Sequence, residues 1–220
     1  MTIATHSITA KAHTNIALVK YWGKLDTQLI IPQNDSLSMT LDEFYTETSV
    51  QFLPELAADK VIFDGEELSD KDSTKIRTFL NLVRDLAHIN YRAKVETKNF
   101  VPTAAGLASS ASGFAALAGA ASQAAGLNLN RRDLSRLARR GSGSATRSIF
   151  GGFVAWQQGH DDETSFAYPI DGQPTWDLAV IALVLTAKQK KISSRVGMQL
   201  AVETSPFYAE WIKASQADFE

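Results

Sequence analysis

Cysteine is absent from the 220 residues. That excludes a disulfide framework and a thiolate-bound zinc, and it fits a reducing, cytoplasmic setting. Histidine is scarce: His6, His13, His88 and His160 lack the spacing of metal ligands, so no metal site is expected from them. Long apolar runs are missing too. The longest, Leu178 to Leu185, falls far short of the ~20 residues that cross a bilayer. It reads as a buried strand, and no membrane partner is expected. Residues 1–6 carry neither the charged nor the apolar region of a signal peptide. An excess of charge of one sign is also lacking: 22 Lys and Arg stand against 24 Asp and Glu, a net charge of −2. No global basic field exists to hold nucleic acid or anionic lipid, so any anion site has to be local.

What remains is an ordinary globular composition, 45% hydrophobic and 21% charged. The length suits one large domain or one and a half. Small and β-branched residues make Ile8 to Val19 a strand that ends before a turn at Gly23. Ser38 to Leu41 and Thr46 to Phe52 read as two further strands. Val61-Ile62-Phe63 before Asp64-Gly65 reads as one arm of a hairpin. Ile76, Phe79, Leu80, Val83, Leu86 and Ala87 recur at helical spacing over residues 71–88. Tyr91 to Val101 alternates as a strand. Ala108 to Ala125 is a helix of Ala, Ser and Gly able to approach a neighbour closely, and Gly126 stops it. Asn130 caps a short helix that Gly141 ends. Strands follow at 150–157, 165–170 and 178–186, then helices at 194–203 and 206–219. No regular βαβ alternation links these elements, which favours an α+β fold.

Four segments suit anions. The loop Pro102 to Gly113 joins a strand to the Ala-rich helix, and its small residues leave helix-start N–H groups bare for a phosphate. It is neither a Walker A motif nor a G-x-G-x-x-G fingerprint. Tight helix packing explains its composition equally well. In Lys20-Tyr21-Trp22-Gly23-Lys24 two lysines flank an aromatic pair, either a solvated strand end with Trp22 in the core or a cationic pocket with a Tyr hydroxyl donor. Gly141-Ser142-Gly143-Ser144-Ala145-Thr146-Arg147-Ser148 alternates glycine with serine hydroxyls before an arginine able to grip a carboxylate. The competing reading is a helix-end loop with solvated arginines. Lys188 to Arg195 reads as a solvated basic loop or as a helix start with Ser194 and Arg195 facing an anion. Asp161-Asp162-Glu163 reads as a solvated loop.

Taken together, residues 14–24, 102–110 and 141–148 resemble the diphosphomevalonate decarboxylases, a family of the GHMP small-molecule kinase superfamily. The resemblance continues through Phe150 to Trp156 and Gly197 to Leu200 and covers nearly the whole chain. It implies a GHMP-kinase-like α+β fold: a ribosomal-protein-S5-domain-2-like N-terminal domain with the phosphate-binding loop over residues 1–186, and the beginning of a ferredoxin-like C-terminal domain over 187–220. It implies ATP-dependent decarboxylation of (R)-5-diphosphomevalonate to isopentenyl diphosphate, ADP, phosphate and CO2, with ATP and magnesium as cofactors, in a cytoplasmic homodimer that binds no nucleic acid. By position, Ala105, Gly106, Leu107, Ala108, Ser109 and Ser110 would meet the ATP phosphates. Tyr21 and Lys24 would hold the substrate diphosphate, with Trp22 and Gly23 shaping the pocket. Ser142 and Arg147 are the catalytic candidates. Ser142, Gly143, Ser144, Ala145 and Thr146 would line the substrate, Arg147 would grip its carboxylate, and Ser194 and Arg195 would approach the diphosphate. Arg77 is a further candidate cation.

One departure stands out. The family's catalytic aspartate lies in an Asp-Ala-Gly-Pro-Asn type segment, and none occurs here; Asp35 is no substitute by motif. Asp218-Phe219-Glu220 falls inside a helical pattern, so the chain reads as cut short. Two other functions stay open at this point: a related kinase that phosphorylates without decarboxylating, and an inactive nucleotide-binding fragment.

Overall fold

The computed structural model describes residues 3–101, 109–171, 178–181, 183 and 192–220. In chain order the elements are β1 (Ile8–Val19), β2 (Lys24–Asp26), β3 (Ile31–Pro32), β4 (Ser36–Leu53), β5 (Lys60–Phe63), β6 (Glu66–Glu67), α1 (Asp70–Ala87), β7 (Arg92–Asn99), α2 (Ser109–Ala124), α3 (Arg131–Gly141), a 3-10 helix (Gly143–Ile149), β8 (Phe153–Trp156), β9 (Ala167–Asp171), α4 (Ser194–Thr204) and α5 (Tyr208–Phe219). The α+β expectation holds: the seven-stranded sheet is antiparallel except where β5 runs parallel to β7.

The sheet is built on β4. One edge pairs with β1 throughout, while the other pairs with β7 over Thr46–Leu53 and with β8 over Ser36–Met39. Two strands were expected here. A single strand forms because a bulge opposite His13 and Asn15 absorbs the polar residues 42 and 43 without breaking the ladder. Asp64 (φ 50°) and Gly65 (φ 91°) make the turn between β5 and β6, which is the backbone a two-residue hairpin turn demands.

Helices α1, α2 and α3 cover one face. Val50, Phe52, Val61, Val95 and Ala93 from the strands meet Phe79, Leu80 and Val83 of α1 and the alanines of α2. Each such large side chain contributes about 1.5–3 kcal/mol by leaving water. The small residues of α2 let it lie almost on the sheet: a Cβ at Gly119 would stand 3.1 Å from the Cβ of Ala10. Caps fix the helix ends. Ser69 accepts the N–H of Asp72, Asn130 accepts that of Asp133, and His88 closes α1 in the left-handed region.

Two expectations fail. Leu86 shares the apolar spacing of α1 but is exposed, because the stripe covered by the sheet is narrower than the pattern. Leu178–Ile181 and Leu183 form no strand and are exposed; an apolar run is buried only where a second surface covers it, and the described residues supply none. The remainder of 178–186 lies outside the described residues. Among the described residues no helix is long and apolar enough to cross a membrane.

Candidate active site

After α3 the chain turns through extended Ser142 into the 3-10 helix. Two glycines make that turn fit. A Cβ at Gly141 would fall 2.1 Å from the Phe114 ring, and one at Gly143 would fall 2.8 Å from the Tyr21 ring. The outcome is that Ser142, Ser144 and Arg147 face a common space.

Arg147 is buried. Its Nη1 donates to Ser36 Oγ at 2.6 Å and its Nη2 to Asn15 Oδ1 at 3.3 Å. Asn15 is itself held by Ser148 Oγ and the Ser144 carbonyl. The guanidinium lies 5.7 Å from the Trp156 ring. Among the described residues its Nε has no partner and no carboxylate pairs with it. Burial pushes the guanidinium down to about 10, so it keeps its charge at neutral pH. The site therefore carries a desolvated cation whose anion is not supplied by the described residues.

That cation opens onto a cavity of about 500 Å³. Lys20, Lys24 and Lys75 line it with Arg147, and the serines 110, 142, 144, 193 and 194 add hydroxyls. Among the described residues lining it there is no Asp or Glu. The first residues of α2 and α4 reach it as well, and a helix start carries partial positive charge. Ser110 Oγ and Ser142 Oγ lie 3.3 Å apart, joining the start of α2 to the turn before the 3-10 helix. The arrangement suits a ligand with several anionic groups.

The structure brings many of the sequence candidates together here: Tyr21, Trp22, Lys24, Ser110, Ser142, Gly143, Ser144, Arg147 and Ser194. Tyr21 packs on Trp156, with ring centroids 4.7 Å apart, so Tyr21 rather than Trp22 is the aromatic core member. Trp22 stays half-buried and accepts the Tyr208 hydroxyl on its carbonyl at 2.6 Å. Gly23 (φ 126°) lies in the wall of a neighbouring cavity, beneath Tyr208. Ser109 faces a smaller pocket shared with Ser110. Ala145 and Thr146 are fully buried behind the wall and do not line the cavity. Ala105, Gly106, Leu107, Ala108 and the side chain of Arg195 lie outside the described residues.

Arg77 is elsewhere: it pairs with Asp70 at 2.7 Å and donates to the Asp59 carbonyl. Asp35 accepts the N–H of Gln158 and serves the fold. Asp162 is not a solvated loop residue. Its carboxylate receives Arg136 and Arg139, each at 2.6 Å. Arg139, fully buried, also binds the carbonyls of Leu29 and Ser165. Sequence reasoning missed Asn15, Ser36 and Lys75. Asn15 sat inside a segment already singled out, but Ser36 did not, and Lys75 carries no local signal, being one lysine on a polar helix.

The family profile described as "Diphosphomevalonate decarboxylase-like N-terminal domain" matches residues 12–167. A diphosphomevalonate decarboxylase of Ganoderma lucidum is 41% identical over 96% of this chain and 57% of its own length. Mevalonate diphosphate decarboxylase from Staphylococcus aureus superposes with a TM-score of 0.89 at 48% identity, over 97% of this chain and 65% of that one. A protein designated MDDEF, solved with MVAPP, AMPPCP and magnesium, has a TM-score of 0.86 at 52% identity, over 97% and 65%. The chain thus spans a little over half the length of the curated relatives it matches. With the profile matching most of its length and the fold shared throughout, this chain belongs to the diphosphomevalonate decarboxylase-like N-terminal domain family.

Proposed function

We propose that the protein is an ATP-dependent decarboxylase that converts (R)-5-diphosphomevalonate to isopentenyl diphosphate, ADP, phosphate and CO2, and that this chain supplies its main binding surfaces. Arg147 carries the reading. A buried guanidinium without its own carboxylate costs several kcal/mol, and a ligand carboxylate gripped through two parallel N–H···O bonds would offset that cost. The lysines, serine hydroxyls and helix starts around the same cavity support two further anionic groups, a diphosphate and a nucleotide triphosphate.

In this reading Tyr21, Lys24 and Ser194 hold the substrate diphosphate, Arg147 holds its carboxylate, and Ser142 and Ser144 line the carbon chain between them. Trp22 and Gly143 shape the wall, Ala145 and Thr146 support it from behind, Gly23 backs it from the neighbouring cavity, and Arg195 belongs to the diphosphate side. Ser109 and Ser110, with Ala105 to Ala108, hold the ATP phosphates. A tertiary hydroxyl is a poor leaving group, so it first takes the γ-phosphoryl group. The C3–O bond then breaks as phosphate leaves. The electron pair of the bond to the carboxylate becomes the new double bond, and CO2 is released. With the two ends of the substrate fixed at Lys24 and Arg147, the breaking bonds are aligned before either cleaves. Magnesium neutralises nucleotide phosphates in such reactions. Among the described residues no group of three acidic or histidine side chains could hold it, and no step is assigned to it. The proton acceptor for the hydroxyl is likewise assigned to no residue of this sequence.

The protein carrying this chain, given ATP, magnesium and mevalonate 5-diphosphate, is expected to release CO2 and isopentenyl diphosphate in equal amounts. ADP without CO2 would make it a kinase, and no binding of the diphosphate substrate would overturn the reading. The same proposal includes a cytoplasmic homodimer and a domain boundary at 186/187. The family resemblance supports both, and the cysteine-free sequence supports the compartment. A single-chain mass in light scattering would remove the dimer.

A further inference from the structure

A second cavity, of about 380 Å³, lies against α4 and shares Lys24, Ile30 and Met198 with the main one. The two therefore adjoin along Lys24, Ile30 and Met198. Val202 extends its apolar wall, and Gly23, Thr27, Gln199 and Glu203 complete the lining. The proposed reaction makes no use of this space, because its substrate runs from Lys24 toward Arg147.

We propose that the second cavity receives the apolar body of diphosphate esters that lack a carboxylate, with their diphosphate kept at Lys24. This rests on the main cavity being a diphosphate site. The two cavities offer such a ligand opposite terms. A tail turned toward Arg147 leaves a buried guanidinium without an anion and with less water around it. A tail turned along Ile30, Met198 and Val202 gains apolar contact instead. The Glu203 carboxylate disfavours a diphosphate in the second cavity, and Lys24 favours it at the junction. The shared boundary is also built rigidly. Ile30 is buried in the left-handed region at φ 55°, where β-branched residues are rare. Arg139 holds the preceding carbonyl at 3.0 Å, and the Asp26 carboxylate accepts the N–H groups of Gln28 and Leu29 at 2.7 Å. The product of the proposed reaction falls in this ligand class, since it keeps the diphosphate and has lost the carboxylate.

The test is calorimetric titration of the protein carrying this chain with inorganic pyrophosphate, then with methyl, butyl and octyl diphosphate. Affinity is expected to rise about two- to fourfold per methylene until the cavity is filled. Val202→Asn, and Thr27→Trp at an exposed position, should each remove that rise and leave pyrophosphate affinity unchanged within twofold. Failure of pyrophosphate to bind would sink the reading of the main cavity. Pyrophosphate binding with affinity flat across chain length would overturn the second-cavity proposal alone. A rise that survives both substitutions would do the same, by locating the tail elsewhere.

Discussion

Burying a guanidinium without a carboxylate lowers stability, and Arg147 does this where an anionic ligand can supply the partner. Burial lowers its folded value to about 10, below the ordinary arginine range. The cost to the fold is thus fully present below about 10 and fades as pH rises from there into the ordinary arginine range, since the unfolded chain then binds more protons. Replacing the group should separate fold from function. Arg147→Met is expected to weaken mevalonate diphosphate binding about 100-fold or more, as for a lost buried charge partner, while ATP affinity stays within twofold. Unfolding in urea should show a stability within about 1 kcal/mol of wild type, or above it. A loss near 3 kcal/mol would instead make Arg147 a structural residue. The arginine and its glycine–serine neighbours were legible in the sequence as donors at close spacing. Asn15 and Ser36, which aim the guanidinium, were not, since they arrive from β1 and the start of β4.

Helix ends and turns were the best-read elements, because the signals are local. Asn130 caps α3 through its own side chain, so Asn130→Ala should cost about 1 kcal/mol in thermal unfolding with ligand affinity unchanged. The 3-10 helix after Gly141 left no such signal and read as a loop. Its position depends on packing: Gly141 is in place because a methyl group there would meet the Phe114 ring. Gly141→Ala should cost about 2 kcal/mol by forcing Phe114 off its edge contact with Phe79. It should also weaken diphosphate binding, because Ser142 follows directly. Stability loss with unchanged binding would detach the turn from the site. The length of β4 was unreadable for a related reason. Its polar residues 42 and 43 resemble a turn, and only the bulged pairing with β1 keeps the strand continuous.

Across the whole molecule, Asp162 links parts that the sequence keeps apart. Through Arg139 it ties α3 to the turn before β3 and the loop before β9. Asp162→Ala would leave a fully buried guanidinium without its carboxylate and should cost about 3 kcal/mol, measured by urea unfolding. Arg136→Ala removes a more exposed partner and should cost about 1 kcal/mol or less. Equal losses would mean that the ring of arginines does not depend on burial. By itself the sequence determined the helices, the Asn130 cap, the small-residue face of α2 and the family, because propensity, spacing and motif are encoded over short distances. Tertiary structure alone decided which cations share a cavity, that Arg77 and Arg139 serve the fold while Arg147 lines that cavity, and that Asp162 is an anchor. Those outcomes depend on distances between residues far apart in the chain and on how much water remains around each charge. Neither quantity exists until the sheet and its helices have packed.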